Sequence, residues 1–233
     1  MKILSNKKIA NNTFEMVLSC NEEFLPGQFI NIKIEGFYLR RPISICDWDG
    51  SSITIIYKAV GEGTKVMSQM EPGIDLDVLY PLGNGYNLEN IPQEPILIGG
   101  GAGIPPMYGL AKQLRAEWKK PKVILGFNSK EDIFYVDKFK KLGVECIVCT
   151  VDGSKFNKGF VTDMFESSEY SCACGPEVML KAIAEKSKNG QYSFEARMAC
   201  GFGGCMGCSC ETKYGSKRIC KEGPVLNQEE IIW

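Results

Sequence analysis

The chain has 233 residues, 44% hydrophobic and 24% charged, enough apolar material for one large or two ordinary domains plus a small appendage. A formal net charge of −1 leaves no electrostatic footprint for nucleic acid, and no apolar run is long enough to span a bilayer. The complete lack of histidine excludes Ser-His and Cys-His nucleophiles, His-ligated zinc and a Rieske-type centre. Eleven cysteines behind an N-terminus with no apolar leader point to a reducing compartment, by default the cytoplasm, and to metal binding over disulfides.

The first ninety residues read as short strands. Residues 13–19 alternate loosely, 29–34 set Ile30, Ile32 and Ile34 on one face, and 52–57 and 74–80 follow, punctuated by Pro26-Gly27, Asp49-Gly50 and Pro72-Gly73. That spacing predicts an antiparallel barrel. Within it, Arg41-Pro42-Ile43-Ser44 offers a cation, a rigid ring and a hydroxyl, suited to a phosphate beside a planar ring. Gly61-Glu62-Gly63-Thr64 opens a predicted helix over 65–70 whose free N–H groups face an anion well. Each stretch has a plain alternative, a strand end and an ordinary turn.

From Pro92 the pattern changes. The strand 95–98 runs into Gly99-Gly100-Gly101-Ala102-Gly103, and Pro105-Pro106 pre-set a helix start. Met107, Leu110, Ala111, Leu114 and Trp118 fall on one helical face. Strand, glycine loop and helix together predict a pyrophosphate cradle formed by Gly100, Gly101, Ala102 and Gly103. Further apolar strands at 122–127, 144–150 and 170–174 alternate with helical segments, which predicts a parallel sheet. Cys174-Gly175-Pro176 ends the last of these, where such sheets bind ligands, and opens a helix over 177–187 with Val178, Ala182 and Ile183 as its inner stripe. Cys174 reads either as a neighbour of a nicotinamide or as packing.

The tail carries Cys200-x4-Cys205-x2-Cys208, then Cys210 and Cys220. Four thiolates in this frame suit a [2Fe–2S] cluster, and the glycines between them let backbone N–H groups turn towards sulfur. A four-cysteine zinc ribbon is the competing reading, although only one CxxC knuckle is present. Cys210 lies outside the frame and reads as a bystander; Cys20, Cys46, Cys146, Cys149 and Cys172 read as structural.

The Arg-x-x-Ser stretch, GGGAG and CGP together resemble the ferredoxin–NAD(P)+ reductase family over essentially the whole length. "LRRPISI", "GEGT", "PLGNGY" and "EARMACGFGGCMGC…RICKEGPVL" resemble one branch of it, the iron–sulfur flavoprotein subunits of class 1B dihydroorotate dehydrogenases. The resemblance implies an antiparallel FAD-binding barrel (1–91), a parallel-sheet NAD-binding α/β domain (92–190) and a small [2Fe–2S] module (191–233). It implies that Arg41, Pro42, Ile43, Ser44, Ile56, Tyr57 and Lys58 contact FAD, that Gly63 and Thr64 lie at its pyrophosphate, and that Cys200, Cys205, Cys208 and Cys220 ligate the cluster. Many relatives carry an aromatic residue between the Arg and Ser, where this chain has Pro42-Ile43. The partner implied is an FMN-containing catalytic subunit that oxidises dihydroorotate, in a complex of two copies of each, with electrons passing by cluster and FAD to NAD+ in pyrimidine synthesis. NAD is preferred over NADP because 128–132 holds one lysine among acidic residues and no arginine. Two rivals remain: a small subunit of a sulfide dehydrogenase or electron-bifurcating ferredoxin oxidoreductase, and a zinc-stabilised nucleotide-binding regulator.

Overall fold

The computed structural model describes residues 1–233. Its first unit is built by β1 (Ile3–Ala10), β2 (Thr13–Ser19), β3 (Phe29–Ile32), β4 (Arg41–Trp48), β5 (Ser52–Lys58) and, after helix α1 (Glu62–Met67), β6 (Val78–Leu82). The strands pair in the order β1-β2-β5-β4-β3-β6, all antiparallel. The segment leading into β6 returns to β1 and closes the barrel: the Ile3 N–H donates to Ile74 O at 2.9 Å and the Leu76 N–H to Met1 O at 2.8 Å. Met16, Leu18, Ile30, Ile32, Ile34, Ile45, Ile53 and Ile55 fill its interior. Each buried isoleucine stabilises the fold by about 1.5–3 kcal/mol.

The alternation seen at 29–34 is correct, but its other face is not solvent. Phe29 and Asn31 are buried too, because this side of β3 packs against the rest of the molecule. Two strands lie where periodicity gave no signal, β1 with its Lys7-Lys8 and β4 with Pro42 at its start. Ile74 is exposed and precedes β6, and α1 begins three residues before the expected helix. The Thr64 hydroxyl accounts for that start, accepting from the Gly61 N–H at 3.1 Å in the manner of a cap.

The second unit is a seven-stranded sheet with the expected parallel order. It comprises β7 (Ile96–Gly100), β8 (Lys122–Phe127), β9 (Glu145–Thr150), β10 (Asn157–Lys158), β11 (Ser171–Cys174), β12 (Gly190–Ser193) and β15 (Val225–Asn227), arranged β10-β9-β8-β7-β11-β12-β15. Only β15 runs antiparallel to its neighbour. The crossovers contain α2 (Ile104–Ala116), α3 (Val136–Lys141), α4 (Val161–Met164) and α5 (Glu177–Ala184). β8 and β11 flank β7 on opposite sides, so the connections that leave the paired carboxyl ends of β7 and β11 run in opposite directions and leave a crevice above them.

Two helix-face expectations are corrected. Met107, Leu110, Ala111 and Leu114 are fully buried, but α2 ends at Ala116 and Trp118 lies beyond it at φ +61°, 85% exposed. On α5 the inner stripe is Leu180, Ile183 and Ala184, while Val178 is 81% exposed because it lies in the first turn beside the crevice.

The cysteine-bearing segment is an excursion from this second sheet, leaving after β12 and returning as β15, with a hairpin of β13 (Ser209–Thr212) and β14 (Gly215–Arg218) between. Barrel and sheet share an apolar seam in which Cys46 and Ile56 meet Ile104, Met107 and Leu110. A Cβ on Gly109 would lie 2.7 Å from Cys46 O, so α2 rests directly on β4. A polar clasp flanks the seam. Tyr135 OH donates to Glu15 Oε2 at 2.6 Å, and Lys138 Nζ reaches the same oxygen at 2.9 Å.

Candidate functional site

The four framed cysteines come together as two pairs. The Cys205 backbone lies at the Cys200 sulfur, and the Cys220 backbone at the Cys208 sulfur. Two sulfurs in each of two neighbouring places is the partition that a [2Fe–2S] unit takes. Backbone donors aim at the sulfurs: Gly204 and Cys205 N–H at Cys200 Sγ (3.2 and 3.4 Å), Gly207 N–H at Cys205 Sγ (3.4 Å), and Cys220 N–H at Cys208 Sγ (3.4 Å). Gly201 and Gly203 adopt φ of +77° and +91°, which β-carbons would oppose, and these turns bring the donors round.

Burial alone would raise the Cys200 thiol. Donors from Phe202, Cys205 and Gly204 outweigh it and bring its pKa down to about 6, so this sulfur is thiolate near neutrality. Burial, followed by the neighbouring Cys208, pushes Cys220 up to about 12. Cys208 and Cys220 are buried against Phe29, Ile98 and Leu226, while Cys205 is exposed, so the site has an inner and an outer pair. Arg218 ties the hairpin to the loop, donating to Gly203 O at 2.7 Å and pairing with Glu222. Cys210 faces across β13 to Lys217 and belongs to neither pair.

On the barrel, Arg41 and the start of α1 converge. A Cβ on Gly63 would lie 2.5 Å from Arg41 Nη2 and 2.7 Å from its Cζ, so only a glycine admits the guanidinium here. Arg41 has no carboxylate partner; it donates to Leu39 O and lies 4.9 Å from the Phe37 ring centroid. An unpaired guanidinium beside a helix start is chemistry suited to an anion. Pro42 and Ser44 pair across the ladder with Asn31 and Phe29. Ile43 packs on the barrel core. The β5 side chains behave unevenly. Ile56 lines the interdomain seam, and Lys58 pairs with Asp132 across it at 3.5 Å. Tyr57 turns into the barrel core and donates to Asn6 at 2.9 Å, leaving only its backbone to face a ligand. Burial lifts its phenol to about 12.

The crevice at the β7/β11 divergence is a cavity of about 480 Å³ lined by Gly100, Gly101, Ala102, Phe127, Pro176 and Met179 among others. A Cβ on Gly103 would fall inside the Cys174 carbonyl and 2.7 Å from Gly175 N, so the loop seals against β11 without a side chain between them. Cys174 is buried, its pKa pushed to about 12 first by burial and then by Glu195, and it does not line the cavity. Four residues without an assigned role also matter. Glu195 and Met179 line the cavity, and Asn84 of "PLGNGY" ties that loop to Glu222 and Val225. Asn31 reaches the cysteine loop, donating from Nδ2 to Cys200 O at 3.4 Å. Asn84 stood in a recognisable motif, whereas Asn31 carried no signal in a strand whose polar positions read as exposed.

Residues 195–232 match the iron–sulfur cluster binding domain of dihydroorotate dehydrogenase B. Over 97% of this chain and 95% of the relative, the sequence is 44% identical to the "Dihydroorotate dehydrogenase B (NAD(+)), electron transfer subunit" of Fusobacterium nucleatum subsp. nucleatum. It is 42% identical to the protein of that name from Geobacillus kaustophilus, covering 100% and 97% of the two chains. Among solved structures, an NADH-dependent reduced ferredoxin-NADP oxidoreductase superimposes with a TM-score of 0.89 at 29% identity, covering 100% of this chain and 89% of that one. Phthalate dioxygenase reductase gives 0.70 at 19% identity, covering 91% and 85%, a likeness of fold. Near-complete coverage at this identity means that the chain belongs to the family of dihydroorotate dehydrogenase B electron transfer subunits.

Proposed function

We propose that this chain passes electrons between a partner subunit that oxidises dihydroorotate at FMN and NAD+, using FAD and a [2Fe–2S] cluster, in pyrimidine (UMP) biosynthesis. The observation that carries the reading is the grouping of Cys200 with Cys205 and of Cys208 with Cys220, each pair joined by a backbone N–H onto sulfur at 3.4 Å. Overall, dihydroorotate gives up two electrons and two protons, NAD+ takes up a hydride, and one proton goes to solvent. When bound, the flavin supplies exchange between hydride and single electrons, and the iron–sulfur centre supplies single-electron transfer.

The chain's own residues bind, orient and insulate. Arg41, with Gly63 and Thr64, is suited to hold the FAD pyrophosphate, and Pro42, Ile43, Ser44 and the backbone of Ile56-Tyr57-Lys58 to flank its ring. Gly100, Gly101 and Ala102 offer backbone to the NAD pyrophosphate, with Gly103, Cys174, Gly175 and Pro176 fixing the loop's approach. Ile56, Cys46 and Met107 form a dry seam that excludes water between the two nucleotide sites. Cys200, Cys205, Cys208 and Cys220 would hold the irons, and the amide donors onto their sulfurs would stabilise the added negative charge of a reduced centre.

For NAD over NADP, 128–132 offers one lysine, Lys130, beside the carboxylates of Glu131 and Asp132 and no arginine for a 2′-phosphate. We assign 1–91 to the FAD unit, 92–190 to the NAD unit and 191–233 to the cluster segment, which borrows two strands of the NAD sheet. Eleven free thiols suit a reducing compartment such as the cytoplasm, the family likeness suggests a two-plus-two complex, and no helix is long and apolar enough to cross a membrane. The likeness to the ferredoxin-NADP oxidoreductase supports a second reading, a bifurcating small subunit. Co-expression with the FMN subunit and a dihydroorotate-dependent NAD+ reduction assay decides between them. Turnover only with both subunits is expected, and a flavin- and iron-loaded chain that neither binds the FMN subunit nor gives turnover with it would sink the proposal.

A further inference from the structure

Asn31 lies on β3 directly across the ladder from Pro42. It is 1% exposed. Its Nδ2 donates to the carbonyl of Cys200, the first of the framed cysteines, at 3.4 Å. The cysteine loop is moulded on this carboxamide, since a Cβ on Gly201 would collide with Asn31 Nδ2. Its Oδ1 is the only buried side-chain nitrogen or oxygen in the chain with no hydrogen-bond partner. Turning the amide over would set oxygen against the Cys200 oxygen, so the orientation is fixed by that contact. Its cross-strand neighbour is a proline, which has no N–H to give. A buried acceptor left unpaired is costly, and the chain supplies no donor for it.

We propose that Asn31 is a positioning residue that ties the cysteine loop to β3, the strand paired with the Arg41–Ser44 stretch, with Oδ1 accepting a hydrogen bond from a hydroxyl or N–H of bound FAD. This rests on the FAD and cluster reading above. One carboxamide then holds both redox groups, its donor half fixing the Cys200 backbone and its acceptor half fixing the flavin. The spacing and orientation between them become a property of β3 and not of the cysteine side chains alone.

The test uses the full chain purified without air, in wild-type, Asn31→Leu and Asn31→Asp forms. FAD affinity is read by flavin fluorescence, and the cluster by its EPR spectrum and reduction potential. Asn31→Leu removes both halves at similar size. Its FAD dissociation constant rises about tenfold, the equivalent of one hydrogen bond, and its cluster spectrum and potential shift. Asn31→Asp keeps an acceptor oxygen and loses the donor to Cys200, so the cluster shifts while FAD is held more tightly than in Asn31→Leu. Should Asn31→Leu not fold, the potential and FAD affinity of Asn31→Asp decide. A wild-type chain that binds neither flavin nor iron would break the parent reading. A loaded wild type whose Asn31 variants match it in FAD affinity and in cluster potential overturns this inference alone.

Discussion

Gly63→Ala separates binding from folding at the barrel. Gly63 lies inside α1 with ordinary helical backbone, so alanine should stabilise the helix by about 1 kcal/mol on propensity alone. The added methyl would sit 2.5 Å from Arg41 Nη2. The guanidinium is the far end of a flexible side chain and can swing away at little cost to the fold. What it loses is its place beside the helix start. Charge-assisted hydrogen bonds of the kind Arg41 would make to a pyrophosphate contribute about 1.5–3 kcal/mol, so FAD should bind roughly ten- to 150-fold more weakly. The expected result is therefore an unchanged or raised melting temperature for the flavin-free chain, with a weakened FAD titration by fluorescence quenching. A double-mutant cycle makes the reasoning strict. If the methyl acts by displacing Arg41, Arg41→Ala and Gly63→Ala together are no worse than Arg41→Ala alone. Full additivity, or wild-type FAD affinity in Gly63→Ala, would refute the argument.

Other predictions concern the remaining parts. Cys220→Ser and Cys205→Ser should lose the iron–sulfur absorption and iron content, while Cys210→Ser retains both, as measured on protein purified without air. Gly103→Ala forces a Cβ into the Cys174 carbonyl, backbone against backbone, and should yield little folded protein. Gly101→Ala meets no atom within 4 Å and bears only the strain of φ +53°, about 1–2 kcal/mol in urea unfolding. At the polar clasp, burial raises the Glu15 carboxyl, but donors from Tyr135 and Lys138 outweigh it and leave its pKa below the ordinary 4.5. Its contribution is therefore present above that pH and fades as pH falls through the depressed folded value. Glu15→Gln should cost on the order of 1–2 kcal/mol at pH 7 and less in acid, read as converging denaturation midpoints. A constant gap across that range would contradict it.

These tests follow the lines along which the molecule could and could not be read from its residues. Local patterns were sufficient wherever one strand or helix face carries its own periodicity. The isoleucines of β3 and the stripe Met107-Leu110-Ala111-Leu114 lie where alternation or 3.6-residue spacing puts them, and the apolar run 122–127 is a strand buried over most of its length. The glycine loop at 99–103 and the cysteine frame at 200–208 were legible for the same reason. Sharp turns, close backbone approach and thiolate clusters restrict residue type within a few positions.

Properties that depend on a distant neighbour were not legible. Val178 and Trp118 fit an apolar helical face in sequence, yet one borders an open crevice and the other lies past the end of its helix, so both are exposed. Tyr57 sits in a flavin-facing strand by motif, but strand alternation and a partner 51 residues away at Asn6 turn its ring inward. Cys200 and Cys220 are twenty positions apart, and their joining of two pairs in one site depends on a hairpin and on Arg218 holding Gly203. Asn31 looked like a solvent-facing residue of an alternating strand. Only packing of that face against a loop 169 residues on made it buried, half-satisfied and chemically meaningful. The sequence alone determined which backbone shapes were available and that clustered thiolates could take up a metal, because those choices are local. Which side chains face one another was decided by the closing of the barrel and by the return of β15 to the second sheet, since burial and partnership are properties of the whole chain.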